Sequence, residues 1–165
     1  MFHCVCECLL LVGNNTTWLN RKRLIEDKVM CIAEKVILSH HQSINNTDVD
    51  AYLNTICFPF TFHRYDGQFY RIPCIDSYRS EYPMPWELIR NYEPDWSYTE
   101  LEELEEVIKS NTHSAYKLVA RRITLEGKTS TIFQAIWVLG QTGDYWGVQT
   151  CYNFGIFNGN THLAA

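Results

Sequence analysis

The sequence predicts an α+β fold, with helices leading and an antiparallel sheet filling the last third. Three observations carry this expectation. Residues Lys22 to Gln42 repeat apolar side chains at helical spacing. Phe58 to Cys74 alternates apolar and polar residues and turns back at Asp66-Gly67, the strongest short hairpin signal. After Ala115 come three long stretches rich in β-branched and aromatic residues, separated by short turns.

The chain has 165 residues, enough for one core and not two. Its net charge of -5 with 14 basic residues argues against a partner held by phosphate neutralisation, so no nucleic acid is expected. No run of 18 apolar residues occurs, so no membrane helix is expected. The aromatic share of 14% points to a thick aromatic core or a lined hollow. Seven cysteines, four of them single in apolar contexts, read as reduced thiols in a cytoplasmic protein. Cys4, Cys6 and Cys8 have no downstream pair to complete a zinc set, so neither a metal nor a cofactor is expected.

Residues 1–21 read as a loosely attached extension; Met30, inside the first helical pattern, is a candidate start. On the first helix Ile25, Val29, Ile32, Ala33, Val36 and Ile37 share a stripe. His40 and His41 point about 100° apart and read as exposed or cap-region residues. Asn45-Asn46 ends this helix, and Thr47-Asp48-Val49-Asp50 reads as a cap with acids in the next first turn. Val49, Tyr52, Leu53, Ile56 and Cys57 form the apolar face of a short second helix, which Pro59 stops. Strands are expected over Phe58–Tyr65 and Gln68–Cys74. Ile75–Tyr82 or Trp86–Tyr92 is a further helix, followed by an irregular link to Tyr98. Glu102–Lys109 suits a helix by propensity. Ala115–Leu125, Thr129–Gly140 and Tyr145–Phe154 form a strand meander, and 157–165 a tail.

Ile44-Asn45-Asn46-Thr47-Asp48-Val49-Asp50-Ala51-Tyr52-Leu53, followed by Phe58-Pro59-Phe60, resembles the opening of the nuclear transport factor two-like (SnoaL-like, ketosteroid-isomerase-like) superfamily. The end of the chain is similar too: Arg121-Arg122 before a Glu-Gly turn, then Ile136-Trp137-Val138-Leu139, then Asp144-Tyr145-Trp146-Gly147-Val148-Gln149. The resemblance covers roughly 22–156. It implies a cone: a curved, antiparallel or mixed sheet wrapped around about three N-terminal helices, with a small-ligand pocket at the open end. It also implies a strand over Glu102–Lys109, since pairing overrides propensity, and a homodimer through the outer sheet face.

An isomerase of that kind needs a carboxylate base and acidic hydrogen-bond donors. Aligning Phe58-Pro59 puts Arg64 or His63 nearest the base position, and neither is a carboxylate. His63 and Asp50 remain the candidate proton carriers. Tyr52, Phe60, Phe62, Trp86 and Trp137 are candidate aromatic walls, with Arg64, Arg122, Gln149 and Asn153 as polar contacts. Arg121 and Arg122 point to opposite faces; one of them, or Arg64, faces the pocket or pairs with an acid such as Glu103 or Glu105. An arginine in the cone favours a carboxylate-bearing ligand. The leading expectation is therefore a binding domain for a small apolar or carboxylate-bearing molecule, without assigned chemistry. The alternatives are a cofactor-independent isomerase, dehydratase or hydrolase on a small apolar substrate, and a dimerisation or scaffold module.

Overall fold

A computed structural model of the chain describes residues 30–64 and 66–156. Backbone contacts separate Met1–Met30 from Cys31–Ala165, and all elements named below belong to the second unit. The extension 1–21, the tail 157–165, the first turns of the predicted helix and the Cys4-Cys6-Cys8 run lie outside the described residues.

The order is α1 (Ile32–Asn46), α2 (Val49–Leu53), β1 (Ile56–His63), β2 (Phe69–Ile72), α3 (Ile75–Glu81), α4 (Pro85–Tyr92), β3 (Trp96–Lys109), β4 (His113–Thr124), β5 (Thr129–Thr142) and β6 (Tyr145–Ile156). The strands form one open sheet, β2-β1-β6-β5-β4-β3. It is mixed, because β1 runs parallel to β6 while the other neighbours are antiparallel. The fold class is α+β, as the sequence predicts. Two details differ. There are four helices among the described residues rather than about three, and both alternatives offered for 75–92 form. The second pair follows β2, where the order of the sequence places it.

The second helix stops at Leu53, and Ile56 and Cys57 already belong to β1, with Pro59 inside the strand. The cause is local. Asp48 caps α2 through its carboxylate to the Ala51 N–H at 3.0 Å, while Thr55 and Ile56 find sheet partners in β6. Tight pairing wins over about one further turn of a marginal helix.

The Glu-rich segment is a strand for the same kind of reason. Glu105 lies opposite Lys117 and Glu100 opposite Arg121, so β4 supplies the countercharges. Arg121 Nε reaches Glu100 at 2.7 Å and Glu102 at 3.4 Å, both on this acidic strand, from which the sequence offers Glu103 and Glu105 as examples. The register shift at Leu101/Glu103, which lies between them, lets both Leu101 and Leu104 pack against the core despite the broken alternation.

Helix α1 lies against the concave face. Asn45 locks it to β3 with a pair of backbone bonds: its amide donates to the Thr99 carbonyl, and the Thr99 N–H donates to its carbonyl oxygen, both at 2.8 Å. The core between the layers contains Ile37, Tyr52, Phe60, Tyr116, Leu118, Leu139 and Val148. No helix among the described residues is long and apolar enough to cross a membrane.

Candidate ligand cavity

The helical layer does not fill the concave side of the sheet completely. A cavity of about 100 Å³ remains. Its floor and walls come from α1 (His40, Ile44), α2 (Tyr52) and α4 (Pro85, Leu88, Ile89, Tyr92). From the sheet come Phe62 on β1, Thr131, Phe133 and Trp137 on β5, and Cys151, Asn153 and Gly155 on β6. Period-two alternation explains the β5 and β6 sets: odd-numbered residues face in, and their neighbours Ile132, Ile136, Tyr152 and Phe154 face out.

Of the candidate site residues, Tyr52, Phe62, Arg64, Arg122, Trp137 and Asn153 line this cavity. Phe60 and Trp86 are buried beside it in the core, where Phe60 stacks on Tyr78 and Trp86 meets Tyr52 edge-on. Gln149 instead packs over Gly140. His63 is on the opposite face of β1, stacked between Phe69 and Tyr152 with ring centroids 5.4 and 4.7 Å away. Asp50 is on the surface, paired with Arg79. Neither proton-carrier candidate is among the lining residues.

His40 was expected at the surface and is 1% exposed. Its Nδ1 is 2.7 Å from the Thr55 hydroxyl, and its ring meets Trp137 edge-on at 5.0 Å and Tyr52 at 4.7 Å. Burial, and secondarily the neighbouring His41, lowers its pKa to about 3. The signal was present in the sequence: position 40 continues the stripe of Ala33 and Ile37. A polar residue type outweighed its place on that stripe. From helix α4 the sequence offers Trp86 as a wall, whereas the residues of that helix that line the cavity are Pro85, Leu88, Ile89 and Tyr92.

The remaining lining groups are neutral or compensated. Burial raises both Tyr52 and Cys151 above their ordinary values, and the Tyr52 hydroxyl pairs with Tyr78 at 2.8 Å. Arg64 pairs with Asp66 at 2.7 Å and bonds the Tyr92 hydroxyl. Arg122 pairs with Glu93 and lies over the Phe133 ring. Burial opposes ionisation of Glu93, yet hydrogen bonds from Ser130 and Arg122 hold its carboxyl below the usual range. Each guanidinium therefore carries its own counterion. No carboxylate is among the lining residues. Among the described residues no cluster of His, Cys, Asp and Glu is placed to hold a metal.

No protein-family model matches the sequence, and neither does any curated protein. Solved structures do match in fold. A protein of unknown function with a cystatin-like fold from Nostoc punctiforme is 9% identical, with a TM-score of 0.58 over 86% of this chain and 94% of its own. A Shewanella frigidimarina protein provisionally named a ketosteroid isomerase is 12% identical, with a TM-score of 0.57 over 73% and 93%. A Thiobacillus denitrificans protein, provisionally named as a calcium/calmodulin-dependent protein kinase type II association domain, is 9% identical, with a TM-score of 0.59 over 77% and 97%. At these identities the likeness is one of fold.

Proposed function

We propose that this chain, which has the nuclear transport factor two-like, cystatin-like α+β fold, uses the cavity to bind a small and largely apolar molecule without transforming it. The observation that carries this reading is the chemistry of the wall: aromatic and aliphatic side chains, with no carboxylate and a histidine held neutral. An isomerase, dehydratase or hydrolase needs a group that exchanges protons near neutral pH. A pKa near 3 makes His40 a feeble base, which favours binding over catalysis. The compensated arginines favour a neutral ligand over a carboxylate-bearing one. Cys57 and Cys151, buried and free, suit a reducing cytoplasm.

The test is a titration with p-xylene, a neutral probe of cavity size. Binding at ten times its Kd adds about 1.4 kcal/mol of stability, read as a Tm rise of a few degrees. The tryptophan fluorescence changes with it. Trp137→Phe removes most of that fluorescence response, whereas Trp146→Phe, outside the cavity, retains it. Equal responses in the two variants would count against the cavity as the binding site.

The outer sheet face favours a second role, pairing with another copy of the chain. Register aligns Phe69, His63, Tyr152 and Ile136 in one row across β2, β1, β6 and β5. Phe69 is 61% exposed, Tyr152 42% and Phe154 64%. An exposed, largely aromatic row of this kind supports pairing with a second copy about a two-fold axis. Sedimentation should give a dimer at micromolar concentration, and Phe154→Asp should shift it to monomer without altering p-xylene binding. A wild-type monomer at high concentration removes this role.

A further inference from the structure

We infer that the floor of the cavity reads a hydroxyl group, so that the ligand is a small ring alcohol or phenol whose O–H enters first. This rests on the cavity being a binding site and adds the class of ligand.

The inference starts from one proton. The Thr55 hydroxyl donates its only hydrogen to the Tyr52 carbonyl oxygen, 2.6 Å away. At 2.7 Å from His40 Nδ1 it therefore accepts, and Nδ1 carries the imidazole hydrogen. A neutral ring with its hydrogen on Nδ1 leaves Nε2 with a bare lone pair. That nitrogen has no hydrogen-bond partner among the described residues, and His40 lines the cavity. The second group is Trp137, 6% exposed, whose Nε1–H is buried with no hydrogen-bond partner among the described residues. The two rings meet edge to face with centroids 5.0 Å apart, and both line the cavity.

An acceptor on one of these touching rings and a donor on the other match a hydroxyl, which gives a hydrogen to Nε2 and takes one from Nε1. A carbonyl or ether satisfies the indole and leaves the imidazole unmet. An ammonium does the reverse. Burying either protein group unmet is costly, so the hydroxyl is favoured over both.

p-Cresol and p-xylene differ by a hydroxyl in place of a methyl. In a wholly apolar hollow p-xylene binds more tightly, because its methyl needs no dehydration. A hydroxyl-reading floor reverses that order, with p-cresol tighter by about tenfold, the equivalent of one good hydrogen bond to each partner net of dehydration. In a ¹H–¹⁵N spectrum the Trp137 indole resonance, assigned by its loss in Trp137→Phe, moves downfield with p-cresol and far less with p-xylene. His40→Asn keeps an N–H for Thr55 and deletes the Nε2 acceptor. It should weaken p-cresol by a larger factor than p-xylene, so that the preference for the hydroxyl is lost. If p-xylene binds wild-type protein as tightly as p-cresol or more tightly, the hydroxyl assignment is wrong and the binding cavity stands. If neither probe binds, both readings fall.

Discussion

Acidification from pH 6.5 towards 4 should destabilise the protein through His40, by about 1.4 kcal/mol per pH unit. The imidazole titrates near 6.5 in the unfolded chain and at about 3 in the folded one. Between these values the unfolded state binds a proton that the folded state refuses, so stability rises with pH across the window and is lost as pH falls. Over the whole window the loss is on the order of 4 to 5 kcal/mol, a large part of what a domain of this size has. His41, on the same helix, is also lowered by burial and adds a slope of the same sign. The titratable groups that line the same cavity from other elements are Tyr52 on α2, Tyr92 on α4 and Cys151 on β6, with Arg64 and Arg122 as its compensated cations. Burial holds Tyr52 and Cys151 in their neutral forms throughout this range. Glu93 and Glu106, both lowered, contribute only nearer pH 4 and below. His40→Asn should cost about 1 to 2 kcal/mol at pH 7 for lost packing. It should also flatten the curve, so that the variant matches or exceeds wild type near pH 5. Urea midpoints from pH 7 to 4.5 measure this, and parallel curves for the two proteins would remove His40 from the account.

The architecture was legible where one period ran long enough to dominate. The meander over β4, β5 and β6 has 12 to 14 residues per strand, and its boundaries moved by only one or two. The Asp66-Gly67 turn held because Gly67 takes φ +83, which few other residues tolerate. The Glu-rich strand was legible only through resemblance, since its countercharges sit on Lys117 and Arg121 and local propensity pointed the other way. The cavity was half legible. Alternation on β5 and β6 places Trp137 and Asn153, and the aromatic Tyr52 follows from its helix face. His40 was missed because a histidine's charge state depends on what covers it, here β5 and α2, and neither is visible from position 40 alone. His63 was overvalued for the complementary reason. Adjacent residues on a strand face opposite ways, and a single strand does not say which face meets the helices.

Gly147→Ala should destabilise the fold by about 3 kcal/mol or more, although it adds a single methyl group. Gly147 is where β6 first comes against β1, the one parallel pairing in the sheet. A Cβ built there would stand 2.6 Å from the Cys57 backbone nitrogen and 2.8 Å from the Ile56 carbonyl carbon. Those are main-chain atoms of β1, not the end of a side chain that can swing away. The contact is tight because the crossing is held on both sides: the Val148 N–H donates to the Thr55 carbonyl at 2.8 Å, and the Tyr145 hydroxyl donates to the Asn54 carbonyl at 2.6 Å. Relieving the clash means moving β6 off β1 and breaking these bonds. Thr55 is also the hydroxyl that orients His40, so the damage should reach the cavity floor. Serine at 147 should be as harmful as alanine, since both add the same Cβ. By contrast, Gly140→Ala meets the end of the Gln149 side chain at 3.0 Å and His113 Nε2 at an ordinary 3.7 Å, and should cost about 1 kcal/mol or less. Urea denaturation of the three variants decides the point. Equal, small losses at 147 and 140 would mean that the two backbones have room to part, and that the parallel pairing is not what fixes the start of β6.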